Sequence, residues 1–271
     1  MSVPTIPMPH FGSPPVIETL LGVQFSPPLA GFSMAHFGLY WSRVRSTYPD
    51  QEIKPPLVPV LEEEQRPVGG PALGLQLVSE PEARCWLIDA SATQLVQIQR
   101  DRFIRNWRRV RADDPCPRYE TLKPLFSEDW GPSVDFLGQE GLGVPEINQC
   151  EVTSINDIEV GAGWETFGQV DKVVSLVTTG SQRFLPEPEM LTLEARHPMP
   201  EGGRLRVMMQ PAIRRQDAKE VLQLTLTARG RPRRPELGAS LEWFDLGHEW
   251  IVRGFTDLTT AAMHTIWRRT P

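Results

Sequence analysis

Apolar positions divide the first half of the chain into strand-like and helix-like stretches. Pro15 to Phe25 (PVIETLLGVQF) is rich in β-branched and apolar residues and stops at Ser26-Pro27-Pro28, which predicts a strand. Ser33 can cap a helix in which Met34, Phe37, Trp41, Val44 and Tyr48 recur every three or four residues, with Arg43 and Arg45 off that face. Glu52 to Gly70 is proline-rich and acidic, with one short edge strand expected at Leu57 to Leu61. Leu73 to Val78 and Arg84 to Ala90 read as a hairpin turning at Glu80-Pro81-Glu82, and Gln94 to Trp107 as one long strand. A helix from about Arg118 to Leu137 follows, with Tyr119, Leu122, Leu125 or Phe126, and Trp130 at helical spacing. Pro124 and Gly131-Pro132 should kink or split it.

A similar order then repeats. Val144 to Val160 is strand-like around Ile147 to Ile155, while Gly161 to Thr179 fits a helix by period and a strand by residue type. Met190 to Arg196, Arg204 to Gln210 and Val221 to Arg229 read as strands, with a turn at Glu201-Gly202-Gly203. Leu222, Leu224 and Leu226 alternate with Gln223, Thr225 and Thr227, as in a sheet with one wet face. Leu241, Phe244, His248, Ile251 and Phe255 mark a helix; Gly254 allows a break, and Thr259 or Thr260 can start a second helix through Trp267.

These elements predict an α+β fold of two similar halves, residues 1–143 and 144–271, each a strand, a helix, antiparallel strands and a closing helix. Element order alone suggests a curved sheet with helices on one face, as in TATA-binding-protein-like or helix-grip folds, built as two units or one continuous domain.

Composition narrows the function classes. The length of 271 residues suffices for a sizeable core, and 40% hydrophobic with 23% charged residues is ordinary for a globular protein. A net charge of -6 argues against coating nucleic acid through overall charge. No stretch approaches a membrane span, and Met1 to Gly12 has neither the basic start nor the apolar core of a secretory signal, so a cytoplasmic protein is expected. Cys85, Cys116 and Cys150 fit three reduced thiols better than disulfides or a zinc site. The 27 prolines cluster in connections and mark joints between elements.

Three segments could carry function. In QIQRDRFIRNWRRVR, strand geometry places Arg100, Arg102, Asn106 and Arg108 on one face and Phe103 and Trp107 on the other. Such a row can grip carboxylates or phosphates bidentately, and Trp107 can stack a base or an apolar side chain. The plainer alternative makes Phe103 and Trp107 core and pairs the arginines with acidic loops such as Glu62 to Glu64.

Arg196 to Arg234 holds ten basic residues, among them Arg204, Arg206, Arg214 and Arg215, against three acidic ones. It could face nucleic acid or an acidic partner, or be a solvated side answering the acidic remainder. The His248-Glu249 pair lacks the second histidine of a metalloprotease helix, and His264 lies across Gly254, so His248 reads as a core histidine. Phosphate-loop, nucleophile-elbow, deaminase and calcium-loop signatures are missing.

Three stretches carry a resemblance: PVIETLLGVQF, QIQRDRFIRNWRR with PRYE, and WFDLGHEWIVRGFTDLTTAAMHTIW. Together they resemble a sporadically distributed bacterial family without an assigned function. The resemblance implies a bacterial protein of patchy distribution, which suits toxin–antitoxin or phage-defence modules.

The leading expectation is a non-enzymatic binding protein holding a protein partner through Arg100, Arg102, Asn106, Trp107 and Arg108. Nucleic-acid binding through the basic 196–234 surface is the second. An unrecognised enzyme using His248, Glu249 and Asp245 is the third. No cofactor, metal or membrane is implied, and a homodimer is compatible with the pattern.

Overall fold

Alternation along Val16–Phe25 sends Leu21, Val23 and Phe25 to one side, where all three are buried, and this inner side becomes the helix-covered face of the main sheet. In this computed structural model, residues 7–60, 62, 83–177, 184–200, 202–214 and 216–270 are described. In chain order the elements are β1 (His10–Phe11), β2 (Val16–Phe25), α1 (Met34–Val44), β3 (Asp50–Lys54), β4 (Arg84–Ile88), β5 (Gln94–Gln99), β6 (Arg102–Arg108), α2 (Tyr119–Gln139) and β7 (Ile147–Glu159). A 3-10 turn (Phe167–Lys172), β8 (Leu193–Pro198), β9 (Arg204–Ile213), β10 (Glu220–Gly230), α3 (Leu237–Leu258), α4 (Ala261–Ile266) and β11 (Arg269–Thr270) follow.

Nine strands form one antiparallel sheet in the order β3-β4-β5-β6-β2-β7-β10-β9-β8. The fold is therefore α+β, with a large antiparallel sheet and a few helices. The sheet runs unbroken from β2 into β7, through the junction expected near residue 143.

Aromatic side chains lock α2 and α3 onto the inner face. Phe126 meets Phe103 edge-on at 5.6 Å and Phe244 at 4.9 Å, and Trp130 meets Phe103 at 5.3 Å. On the same face Leu222, Leu224, Leu226 and Ala228 of β10 are fully buried beneath α3.

Several expectations need correcting. The single strand over Gln94 to Trp107 is a hairpin, β5 and β6, turning at Arg100-Asp101. The carbonyls of those two residues accept the N–H groups of Leu29 and Phe25, which satisfies the turn from outside. The turn lies within four consecutive polar residues, Gln99 to Arg102, of an arginine-rich run, so it did not stand out as a break.

The edge strand is β3, whereas Leu57 to Val60 forms no ladder; Leu61 and the predicted strand Leu73 to Val78 lie outside the described residues. Pro124 and Pro132 lie inside α2 without splitting it, because burial of Leu122, Phe126, Trp130 and Phe136 holds the whole segment helical. Gly254 does not break α3. A Cβ there would sit 2.6 Å from Leu205 Cδ2, so this glycine lets the helix approach β9. The break comes at Thr259, and Thr260 caps α4 through Met263 N.

Candidate functional site

The sheet face opposite the helices carries the polar half of each strand's alternation, and four of its side chains fall in one register row. Gln99 pairs with Arg102, Arg102 with Gln24, and Gln24 with Gln149, so the row crosses β5, β6, β2 and β7 at one end of the sheet. All four are buried. Polar groups so deeply buried need partners.

The partner is the chain's own segment after β3. Gln99 Oε1 accepts from Leu57 N at 2.8 Å and its Nε2 donates to Leu57 O at 2.9 Å. Gln149 repeats this grip, accepting from Glu62 N at 3.0 Å and donating to Val60 O at 2.5 Å. Between them Arg102 Nη2 donates to Gln24 Oε1 at 2.8 Å and to Val58 O at 3.4 Å. Beyond them the Glu62 carboxylate lies 3.4 Å from Arg204 on β9. The strap thus crosses the strands rather than joining the ladder. Pro55, Pro56 and Pro59 suit that path, since each lacks the N–H a ladder would use.

Next to the strap lies a cavity of about 360 Å³ lined by Leu57, Val60, Trp86, Asn106, Glu18 and Arg229, among others. A hydrogen-bond chain runs along its floor. Arg84 Nη1 and Trp86 Nε1 donate to Gln97 Oε1, Gln97 Nε2 donates to Asn106 Oδ1 at 2.7 Å, and Asn106 Nδ2 donates to Glu18 Oε1 at 2.5 Å. Burial raises the Glu18 carboxyl above its ordinary value, against the Asn106 hydrogen bond and the charges of Arg108 and Arg84. The guanidiniums of Arg84 and Arg108 lie 5.6 and 5.5 Å from the Trp86 ring centre.

The expected contact row is therefore only partly assembled as foreseen. Arg102, Asn106 and Arg108 do share a face, but Arg102 and Asn106 are buried and bonded within the chain, not presented to solvent. Arg108 Nε is committed to Ala92 O at 2.8 Å, and Arg100 lies in the turn. Trp107, 2% exposed, belongs to the core on the other face and can stack nothing from outside.

The second basic segment is largely paired. Arg206 and Arg196 share Glu194, Arg214 bonds Glu159 and Asp217, Arg229 bonds Glu151, and Arg204 takes Glu62. Arg215 lies outside the described residues. Gln24, Gln99 and Gln149 were missed; their signal was glutamine at outward positions of apolar strands, a residue type that rarely marks a site.

A larger cleft of about 810 Å³ opens on the helix side, between β2, β7, α2 and α3. His248 stacks on Tyr119 there at 4.0 Å, and burial lowers its pKa to about 4, so it is a neutral ring at pH 7. Asp245 accepts from Tyr119 Oη and Lys123 Nζ, while His264 engages Thr259 Oγ1 at 2.9 Å. Among the described residues, neither histidine hydrogen-bonds the other or a carboxylate. Cys116, also in this cleft, has its thiol pushed up to about 11 by burial. Among the described residues no cluster of His, Cys, Asp and Glu could hold a metal ion, and no helix is long and apolar enough to cross a membrane. No protein-family model matches this chain, and no curated protein matches it closely enough to count as a relative.

Proposed function

We propose that this is a binding protein of a bacterial accessory module, antitoxin-like or defence-associated, holding a protein partner on the outer face of its sheet. The observation that carries the reading is the pair of buried glutamines, Gln99 and Gln149, each making two hydrogen bonds to the main chain of an extended segment. Amide pairs of this kind recognise backbone, which any extended polypeptide offers. The contact row becomes Gln99, Arg102, Gln24 and Gln149, with Arg204 at its far end.

The proposal keeps the two halves, 1–143 and 144–271, as copies of one unit in a TATA-binding-protein-like arrangement. In support, β2 and β7 pair antiparallel at the centre, and each is flanked by the last main-sheet strand of its own half, β6 or β10. The copies differ in detail, since β3 to β6 are matched only by β8 to β10. The nucleic-acid alternative is disfavoured because Arg196, Arg206, Arg214 and Arg229 would have to exchange carboxylates for phosphates.

Site-specific photo-crosslinking in cells carrying the neighbouring genes tests the reading. A photoreactive residue at Met208, on the outer face, should yield a discrete protein adduct, and one at Glu242, on exposed α3, should not. Adducts from neither position, or from Glu242 alone, defeat it.

A further inference from the structure

Lys54 and Arg84 are partners in the β3–β4 ladder, so a tight turn would close this hairpin. The chain instead spends residues 55–83 on the connection, and its opening part lies across the outer face. Long connections within a compact fold are uncommon and tend to serve function. This one is not needed to join its strands.

The way the strap is held separates it from ordinary loop packing. Its contacts with the sheet are main-chain hydrogen bonds from Gln99, Gln149 and Arg102, plus one carboxylate, Glu62, at Arg204. Leu57 and Val60 are half-buried against the cavity, whereas Val58 is 78% exposed. The face thus reads an extended backbone, two inward apolar side chains and a terminal carboxylate.

We infer that residues 57–60 with Glu62 are an internal stand-in for a partner's segment, and that the same row binds in trans an extended, proline-containing peptide with an acidic residue at the Arg204 end. This rests on the outer face being the partner surface. The occupant is set by the chain's own sequence seated on the face, and charge complementarity at Arg204 sets the direction in which a peptide lies. Tethered at Lys54, the strap competes at an effective concentration in the millimolar range, so the intact chain is largely closed to a free peptide. A partner therefore has to displace the strap.

The test uses two proteins and one probe. In the first protein, residues 55–83 are replaced by Asn-Gly. In the second, the full chain carries Glu62→Arg, which sets a cation against Arg204 and loosens the strap without altering the sheet. The probe is a fluorescein-labelled peptide of residues 55–62, PPLVPVLE, read by anisotropy. Both proteins should bind it at least tenfold more tightly than the intact chain. Gln99→Ala with Gln149→Ala in the strapless protein should abolish binding, and moving the glutamate to the start of the peptide should weaken it at least fivefold.

A strapless protein with a cooperative thermal transition that ignores the peptide overturns the inference. So does one that prefers oligothymidine, with affinity falling steeply as salt rises. If the strapless chain does not fold, the Glu62→Arg protein decides: no gain over the intact chain rejects the inference. Adducts at Met208 alongside failed peptide binding would reject the stand-in while leaving the partner surface intact.

Discussion

Arg105 Nη1 donates to Asp129 Oδ2 at 2.8 Å beneath α2, on the sheet face opposite Arg102 and Asn106. Tyr48 Oη donates to the other oxygen of Asp129 at 2.8 Å, and Arg105 Nη2 reaches Gln94 Oε1 at 3.1 Å. One arginine of the basic run is thus a buried tie between β6 and α2. Its neighbours on either side in the alternation serve the outer face.

Arg105→Met should therefore cost about 3–5 kcal/mol, because it strands the Asp129 carboxylate under a helix. Adding Asp129→Leu should recover most of the loss, since two apolar groups can pack where an ion pair stood. Urea midpoints of the wild type and the two variants check this. A double variant no more stable than the single one would mean that the pair's value lies in its hydrogen bonds.

At Gly247→Ala two effects oppose each other. Alanine is favoured over glycine inside a helix by about 1 kcal/mol. Yet a Cβ at Gly247 would lie 2.9 Å from both Val152 Cγ2 and Trp243 Cζ3, and overpacking of this kind costs about 1–3 kcal/mol. The variant should be destabilised, whereas Gly238→Ala in the same helix, with open space around it, should be stabilised. Thermal melts of the pair separate propensity from packing.

His248 should make the protein sensitive to mild acid. Its folded pKa, about 4, is below the ordinary value of 6.5, so the unfolded chain binds the proton more readily. The corresponding stability is fully present above about pH 6.5 and drains away as pH falls toward 4. About 2 kcal/mol should be lost between pH 7 and pH 5 on this account. His248→Phe keeps a ring against Tyr119 and should flatten the urea-midpoint profile over that interval. An unchanged slope would assign the acid sensitivity elsewhere.

The three thiols should be slow to react in the folded protein. Burial pushes Cys85 and Cys116 up to about 11 and Cys150 up to about 12, so little thiolate exists near neutral pH. Aromatic disulfide reagents should label them only on unfolding. Rapid native labelling of one site would reveal local opening there.

Periodicity placed β2, α1, β7 and β10 because each buries one face and its apolar residues must recur at the matching spacing. The N-cap of α4 was legible for a similar reason, since Ser or Thr ahead of an apolar run has few other uses. The Arg100-Asp101 turn was not legible, because its two residues merge into the polar run Gln99 to Arg102, although the outward positions change from odd on β5 to even on β6 across it. Gly254 misled because a glycine required by a neighbouring side chain looks like one that ends a helix.

The sequence by itself determined which residues had to leave water, and hence most of the strands, the helices and the arginine-rich face of β6. Only the tertiary structure decided what covers that face. A strand pattern specifies sides, but Gln24, Gln99, Arg102 and Gln149 become a row only when four strands align in register, and Leu57, Val58, Val60 and Glu62 meet them only when the chain returns across the sheet. Contacts between residues so distant along the chain leave no period in it. Long-range hydrogen bonding makes the site, and local spacing cannot encode it.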